Sequence, residues 1–291
     1  MAEKSIANMS SYLWTRRLSH AGQVGRRGIG DLQMHRFRLW AAMVLMSVLP
    51  VALSAQEKQT RRVLAVGMSR GWQHESVSDA LATVFQLGRE SGLWDTFIRT
   101  DTELITKKTL EMNAKNLDDF DAVFFMTTGE LPLDEEQKAA LVSFVREDGK
   151  GFLGAHNATD TFYEWPEYGA MIGGYFDGHP WNQFEATIRV EDREFPATRH
   201  LPSSFRIFDE IYQIKGFSRE RVRVLMSLDT TNVDMQKEGV HHEDIPVAWT
   251  SRYGKGRVFY CGLGHRPEVW AREDVRTMWL EAIKWVLRVD P

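Results

Sequence analysis

The sequence contains a single cysteine, Cys261, so no disulfide can form within one chain of 291 residues. It also lacks the compact metal patterns HExxH and CxxC, the glycine-rich GxGxxG fingerprint and the P-loop. The single cysteine excludes a fold held together by disulfides within the chain. Because the glycine-rich fingerprint and the P-loop are missing, the sequence does not indicate a nucleotide cofactor. Cys261 lies in the apolar run GRVFYCG, where it is predicted to be a small buried hydrophobic residue rather than a nucleophile.

Positive charge is scarce once the start of the chain is set aside. The first 55 residues hold seven Lys and Arg against two Asp and Glu, so within a total of −4 the other 236 residues carry −9. An acidic body of this kind repels nucleic acid and anionic membrane surfaces. The expected partner is therefore a small molecule such as a neutral sugar, or a cation. Binding to nucleic acid is not expected. The sequence does not decide the oligomeric state, and an oligomer stays possible.

Residues 34–55 have the layout of a secretory signal peptide. The basic stretch MHRFRLW is followed by the apolar run AAMVLMSVLP and by VALSA, which ends in small residues. Because the apolar run is shorter than the roughly 20 residues of a membrane span and is broken at Pro50, an uncleaved anchor is the second choice. We expect cleavage after Ala55, with Ser54 as the alternative. This predicts a periplasmic or extracellular protein without stable membrane insertion once the signal is removed.

The remainder divides into an N-terminal extension and one domain. Residues 1–33 show no sustained periodicity and precede Met34, which begins a complete signal. Our hypothesis is that translation starts at Met34 and that residues 1–33 are a mis-assigned start or a disordered extension. Residues 61–288 contain no internal repeat, low-complexity tract or linker, so they are predicted to form a single domain.

Within that domain, predicted strands and helices alternate. Helices are expected at 76–90, 133–147 and 272–287, and the stretch 104–117 is mixed helical or irregular. Between 184 and 261, several strand-like runs are separated by turn residues, which favours an antiparallel or mixed edge. The pattern predicts an α/β fold with a mostly parallel sheet and antiparallel additions. The buried strands of its parallel part are predicted at 61–68, 94–100, 121–127 and 151–155.

The densest group of chemically active residues follows the predicted strand 151–155. Open α/β sheets bind ligands at the carboxyl ends of their strands. Polar side chains beside aromatic faces suit a polyhydroxylated ligand, although each ring alone could belong to the core. The candidate substrate-binding residues are Asp160, Tyr163, Trp165, His179 and Trp181, together with Trp72 and His74 after the first strand.

Four segments resemble the trehalose-utilisation, or ThuA-like, family over about residues 61–288. They are GFLGAHNATDTFYEWPEYGAMIGGYFDGHP, GWQHES, FDEIYQI and PVAWTSRYGKGRVFYCGLGH. The resemblance implies a fold similar to class I glutamine amidotransferases, which is a flavodoxin-like three-layer sandwich. It also implies a role in carbohydrate metabolism, on glycosides or keto-sugar derivatives.

One departure from the amidotransferases affects the chemistry. Those enzymes carry a cysteine nucleophile in a G-x-C pattern at a strand-to-helix elbow, whereas here Gly154, Ala155 and His156 occupy that place. Without a thiolate the amidotransferase cycle cannot run. His265 and Glu268 are similar in position and spacing to the His and Glu that follow the last strand of those enzymes. We therefore predict that His156 and His265 transfer protons in a hydrolase or lyase, with Glu268 orienting one of them.

A metal ion is a further possibility that the sequence leaves open. His74, His156, His179 and His265 could converge on a divalent ion such as Zn²⁺. Their spacing matches no compact metal motif, so no ligand set can be named. Three hypotheses follow: a carbohydrate-active enzyme with histidine acid/base chemistry, a non-catalytic sugar-binding module, and a metal-dependent hydrolase.

Overall fold

The computed structural model describes residues 60–289, so the predicted extension 1–33 and signal sequence 34–55 lie outside it. No helix within 60–289 is long and apolar enough to cross a membrane. The helices and strands are, in chain order, β1 (Arg61–Val66), α1 (Val77–Ser91), β2 (Trp94–Arg99), β3 (Ala122–Phe125), α2 (Glu135–Arg146), β4 (Gly151–Ala155), α3 (Pro166–Ile172), β5 (Tyr175–Phe176), β6 (Gln183–Val190), β7 (Ser204–Glu210), β8 (Ile214–Lys215), β9 (Arg223–Leu228), β10 (Pro246–Tyr253), β11 (Gly256–Cys261), α4 (Pro267–Trp270) and α5 (Glu273–Val286).

Nine strands form one sheet in the order β2-β1-β3-β4-β11-β10-β9-β6-β7. The first five strands run parallel to one another. Each of the last four runs antiparallel to the neighbour before it. As a result β7, at the far edge, points in the same direction as β1, β4 and β11, and its carboxyl end lies at the same edge of the sheet.

Helices cover both faces of the sheet, which gives three layers. Apolar side chains of α1 and α5, such as Val84 and Trp279, share a buried cluster with one face of the strands. Side chains of α2 and α3, such as Phe144 and Tyr168, share a second cluster with the other face. This is the predicted flavodoxin-like α/β sandwich, with a mostly parallel sheet and antiparallel additions.

Local sequence explains where the elements begin and end. The Asp134 side chain accepts a hydrogen bond from the backbone N–H of Gln137, whose side chain in turn caps Asp134, so α2 begins there. The stretch 104–117 forms turns rather than a helix, apart from a 3₁₀ turn at Leu117–Asp119. The sequence analysis did not predict α3, which begins at Pro166 in the first helical position.

Candidate functional site

Three imidazoles meet at the carboxyl edge of the parallel strands. His74 lies in the loop after β1, His156 directly follows β4, and His265 lies in the loop after β11. Their ring centroids are 4.9 Å (His74 to His156), 5.1 Å (His74 to His265) and 5.3 Å (His156 to His265) apart. Each pair of rings is close to perpendicular, with interplanar angles of 81°, 85° and 76°. The three rings therefore surround one small space.

The backbone at His156 is held in an uncommon conformation. His156 has a φ of +38°, in the left-handed region that non-glycine residues seldom occupy, where β4 passes into a 3₁₀ turn. Gly154 allows α3 to approach this strand end, because a Cβ there would lie 2.9 Å from the Ile172 side chain. Strained backbone of this kind concentrates at functional sites. The elbow predicted from the sequence therefore exists, and it presents a fully buried imidazole.

Glu210, the last residue of β7, places its carboxylate beside two of these imidazoles, His156 and His265, and beside His179. Its Oε2 lies 3.7 Å from His156 Nε2 and 3.0 Å from His265 Nδ1. Its Oε1 lies 3.3 Å from His179 Nδ1. Glu210 is buried, so its charge is screened little by solvent. We refer to His74, His156, His265 and Glu210 as the histidine–glutamate cluster.

The sequence analysis assigned the carboxylate role to Glu268, and the structure places Glu268 elsewhere. Its side chain is 69% exposed on α4 and pairs with Arg266 at 3.1 Å. The carboxylate beside His265 is that of Glu210 instead. The sequence offers no signal for Glu210 beyond its place in FDEIYQI, one of the segments that resemble the ThuA-like family.

Neighbouring groups orient two of the imidazoles. His156 Nδ1 lies 2.7 Å from the carbonyl oxygen of Gly262 and donates a hydrogen bond to it. This leaves His156 Nε2 facing the cluster, an arrangement common for metal-ligating histidines. His74 Nδ1 lies 3.2 Å from the side-chain amide of Asn157, and His74 Nε2 lies 3.3 Å from the Tyr212 hydroxyl.

The residue before Glu210 holds the loop that carries His265. The buried Asp209 carboxylate accepts hydrogen bonds from the backbone N–H groups of Gly264 at 2.7 Å and Arg266 at 3.2 Å. Gly264 has a φ of +119°, which favours glycine, and the Ser76 hydroxyl donates to its carbonyl at 2.7 Å. Two consecutive acidic residues of β7 therefore act together, one on the loop and one in the cluster.

The environment of the cluster shifts the pKa values of its members in different directions. Burial, followed by the proximity of His156 and His265, lowers the pKa of His74 to about 3. Burial also disfavours the charged form of His265, but the hydrogen bond and charge of Glu210 outweigh it and raise the pKa of His265. Burial alone would raise the pKa of Glu210, yet its contacts with His156 and His265 lower it. At neutral pH His74 is therefore neutral and Glu210 is anionic.

The cluster fits a divalent metal ion. One candidate ligand atom from each of the four side chains lies within 4.8 Å of the others. Three imidazoles that share one tetrahedral zinc ion, at N–metal distances of about 2.0–2.1 Å, have ring centroids about 5 Å apart. Within residues 60–289, buried His156 Nε2 has no hydrogen-bond partner, although it faces Glu210 at 3.7 Å. Nitrogen and carboxylate ligands of this kind suit zinc and related ions.

A cleft of ≈ 370 Å³ opens onto the cluster, a size typical of small-ligand sites. Three other residues predicted from the sequence line it, namely Asp160, His179 and Trp72, whose side chain is 71% exposed. Burial raises the pKa of Asp160, although a hydrogen bond from Tyr163 opposes the shift. The sequence analysis did not anticipate the lining residues Phe176, Asn182, Gln183 and Tyr212.

Three of the predicted aromatic residues do not line this cleft. Trp165 is buried against Phe162 and Tyr168, and buried Trp181 donates a hydrogen bond to the Asp234 carbonyl at 3.0 Å. These two rings belong to the core, where large rings are most often found. Tyr163 lies behind the cleft and donates a hydrogen bond of 2.5 Å to Asp160.

Cys261 is a core residue, as the sequence predicted. It is fully buried in β11, with its Sγ 3.9 Å from the Met278 sulfur. Burial raises the pKa of its thiol to about 12. Since the thiolate is the nucleophilic form, a neutral buried thiol is inert at neutral pH.

Solved structures with this fold include two ThuA-like proteins. One, from Bacteroides uniformis, is 24% identical, with a TM-score of 0.63, over 78% of this chain and 92% of that one. The other, from Parabacteroides merdae, is 18% identical, with a TM-score of 0.63, over 80% and 91%. A cytoplasmic protein from Salmonella typhimurium aligns at 12% identity and a TM-score of 0.51, over 77% and 99%. At these identities the likeness shows the fold alone.

The family is shown by the sequence itself. The model of the ThuA family, described as trehalose utilisation, matches residues 62–286, which is most of the chain. No curated protein matches the sequence. The match covers the segments that carried the resemblance and contains all four members of the histidine–glutamate cluster. Such membership supports a carbohydrate-related function. The protein belongs to the ThuA family.

Proposed function

We propose that this protein is a carbohydrate-active hydrolase or lyase, acting on glycosides or keto-sugar derivatives, that uses a divalent metal ion. The metal ligands would be His74, His156, His265 and Glu210. The observation that carries the proposal is the arrangement of three near-perpendicular imidazoles around one buried carboxylate.

The surroundings of the cluster support a metal site rather than a chance grouping. His156 Nδ1 is occupied by the Gly262 carbonyl, so only Nε2 is free to bind. His265 is held by a loop that Asp209 fixes from both sides. Outer-shell contacts of this type orient metal ligands in proteins. When bound, a divalent ion supplies Lewis-acid polarisation or an activated water.

The cleft supports a sugar as the ligand. It combines aromatic surfaces from Trp72, Phe176 and Tyr212 with polar groups from Asp160 and His179. Aromatic faces beside hydrogen-bonding groups suit a ring that carries hydroxyls on its edge. Asp160 and His179 are also placed to exchange protons with such a ligand. Trehalose, which appears in the description of the family, is a natural first substrate to test.

The test is metal analysis of the purified full chain by mass spectrometry before and after EDTA, followed by activity assays on trehalose and keto-sugar glycosides. We expect about one zinc or similar ion per chain, and loss of activity with EDTA that added Zn²⁺ restores. The variant His156→Ala should lose both metal and activity. His200→Ala, which changes an exposed imidazole bonded to the Asp274 carbonyl, is the matched control and should keep both.

A metal-free enzyme with histidine acid/base chemistry is the second candidate. The observation that favours it is the contact of 3.0 Å between His265 and Glu210, because a carboxylate beside an imidazole can orient it for proton transfer. Activity that survives EDTA but is lost in His156→Ala would select this candidate. Sugar binding without turnover, unchanged in His156→Ala, would instead select a non-catalytic binding module.

We also propose that the protein is exported to the periplasm or the extracellular space. The support is the signal-like layout of residues 34–55. N-terminal sequencing of the protein recovered outside the cytoplasm should begin at Gln56 or Ala55. Recovery of a chain that starts at Met1 from the cytoplasm alone would contradict export.

A further inference from the structure

A buried amide joins two loops beside the cleft. Gln213 lies between β7 and β8, shortly after Glu210, and its side chain is fully buried. The two loops are residues 177–182, between β5 and β6, and residues 229–245, between β9 and β10. The first loop carries His179. Neither Gln213 nor the 229–245 loop lines the cleft, so an effect of either on the site has to act through the 177–182 loop.

The backbone of Gln213 fixes the 177–182 loop. Its N–H donates a hydrogen bond to the Gly178 carbonyl, and its carbonyl accepts one from the Asp177 N–H, both at 2.8 Å. Gly178 has a φ of +105°, a conformation that favours glycine. The chain is therefore held on both sides of a peptide bond at the sharp turn that directly precedes His179.

The side chain of Gln213 fixes the 229–245 loop. Its amide nitrogen donates a hydrogen bond to the Gly239 carbonyl at 2.8 Å. Its amide oxygen accepts from the backbone N–H groups of His241 at 2.7 Å and His242 at 3.1 Å. A buried amide with partners on both its nitrogen and its oxygen holds one orientation, because any other would leave buried polar groups unpaired. One side chain thereby joins the two loops.

A second contact joins the same loops nearer the surface. His242 Nε2 lies 2.8 Å from the Asp177 carboxylate, and both side chains are partly exposed. The indole N–H of Trp181, in the 177–182 loop, also donates to the Asp234 carbonyl across the same boundary. We call Gln213 together with the contact between His242 and Asp177 the Gln213 clamp.

The 177–182 loop brings His179 to the carboxylate of the cluster. His179 Nδ1 lies 3.3 Å from Glu210 Oε1. The other oxygen of the same carboxylate, Oε2, lies 3.7 Å from His156 and 3.0 Å from His265. A ring nitrogen this close to a carboxylate faces it with an N–H, because a lone pair would be repelled. With Oε1 facing His179, the carboxylate presents Oε2 to the cluster.

We propose that Gln213 is a positioning residue, which through the 177–182 loop sets His179 against Glu210 and so aims Glu210 Oε2 at the cluster. This inference rests on the proposed function, in which Glu210 binds a metal ion. Carboxylates that bind metals are themselves held by outer-shell partners, and loss of such a partner costs roughly 10–100-fold in metal affinity. Because Nδ1 of His179 faces Glu210, Nε2 is the ring nitrogen that remains for a ligand in the cleft.

The experiment measures the zinc affinity of full-length variants by competition with a chromophoric chelator. Gln213→Met keeps a side chain of similar length but removes the hydrogen bonds to the 229–245 loop, and it should weaken zinc binding about tenfold. His179→Ala should weaken it by a similar factor. His179→Asn places an amide nitrogen near the position of Nδ1 and should restore most of the affinity. Gln236→Ala, which changes an exposed glutamine of the 229–245 loop, is the matched control and should leave the affinity unchanged.

A double variant tests whether Gln213 acts through His179. If it does, Gln213→Met should cost about tenfold in the wild-type chain but less than about twofold when His179 is already alanine. Equal losses in the two backgrounds would overturn the inference, because Gln213 would then only support the fold. If Gln213→Met does not fold, His242→Ala opens the clamp at a partly exposed position instead. Its loss should be smaller, about threefold, and should disappear in the His179→Ala background.

Two further outcomes separate this inference from the proposed function. Unchanged zinc affinity in both Gln213→Met and His179→Ala would overturn the inference and leave the metal site standing. If the wild-type chain binds no zinc, the proposed metal-dependent function fails, and the imidazole ¹⁵N resonances of His179 in the metal-free chain decide the inference. They should shift in Gln213→Met but not in Gln236→Ala. Unchanged resonances in both variants would overturn the positioning role.

Discussion

The two halves of the sheet contribute to the cluster in different ways. The parallel half, β2-β1-β3-β4-β11, supplies all three imidazoles from loops that follow β1, β4 and β11. The antiparallel half, β10-β9-β6-β7, supplies Glu210 and, just after it, Tyr212. A parallel sheet brings the ends of distant strands to one edge by its topology. The antiparallel half reaches the same edge only because of the order in which its strands pair.

The largest effect on the cluster is expected from Glu210→Gln, which removes the negative charge that the antiparallel half contributes. If the carboxylate binds metal, the loss in affinity should exceed the roughly 10–100-fold that loss of an outer-shell partner costs. Competition with a chromophoric zinc chelator measures it. Glu185→Gln, on the neighbouring strand β6 with its side chain exposed, is the matched control and should leave the affinity unchanged. Equal affinity in both variants would mean that the parallel half holds the metal alone.

Asp209→Asn tests whether the antiparallel half also positions a ligand of the parallel half. The amide can accept only one of the two backbone hydrogen bonds from Gly264 and Arg266, so the loop with His265 should loosen. We expect about 1–3 kcal/mol lower free energy of unfolding in urea. We also expect about tenfold weaker zinc binding, as for other outer-shell changes. A variant with lower stability but unchanged zinc affinity would show that Asp209 supports the fold and not the site.

The pair Asn157→Ala and Tyr212→Phe compares the two halves at a single imidazole. Asn157 follows β4 and lies 3.2 Å from His74 Nδ1, whereas the Tyr212 hydroxyl lies 3.3 Å from His74 Nε2. Loss of the Asn157 amide should weaken zinc binding about tenfold, since it removes an orienting partner. Tyr212→Phe keeps the ring that packs against His156, at 4.3 Å between centroids, and should have a smaller effect. If Tyr212→Phe weakens zinc binding more than Asn157→Ala in the chelator assay, the antiparallel half orients His74 instead.

Trp72→Ala should have the smallest effect on the cluster itself. Its side chain is 71% exposed, so the free energy of unfolding should change by no more than about 0.5 kcal/mol. Zinc affinity should not change. Binding of trehalose should weaken several-fold through loss of the stacking surface, which calorimetry would detect. A loss of zinc would place Trp72 in the support of the cluster rather than on the ligand.

The parallel half of the fold could be predicted from the sequence because its strands are continuous apolar runs separated by helices. GFLGA and the helix at 133–147 are examples, and the structure has both within two residues of the expected bounds. The stretch 104–117 has no apolar periodicity and accordingly forms turns. The helix α3 is hard to recognise in the sequence, because its segment EWPEYGAMI contains a proline and lies among the candidate site residues.

The imidazoles of the site were predictable for the same reason. His74, His156 and His265 each follow a predicted strand, and ends of parallel strands lie together. Glu210 was not predictable, because the direction of β7 depends on pairings with β6 and β9 that the sequence does not display. The sequence points to Glu268 instead, because it matches in position and spacing the Glu that follows the last strand of class I glutamine amidotransferases. Trp165 and Trp181 were predicted to bind substrate but lie in the core. The sequence cannot separate the two cases, because a ring in the core and a ring in a pocket have the same sequence signature.

The pairing order of the antiparallel half also limits how the sheet can grow. Four strands follow β11 in the sheet, an even number, and each reverses direction relative to the one before it. Inserting or deleting one of them would reverse β7 and carry Glu210 to the opposite edge, far from the imidazoles. Adding or removing a hairpin of two strands would preserve its direction. The parity of the strand count, more than the identity of any strand, therefore keeps the carboxylate on the side of the histidines.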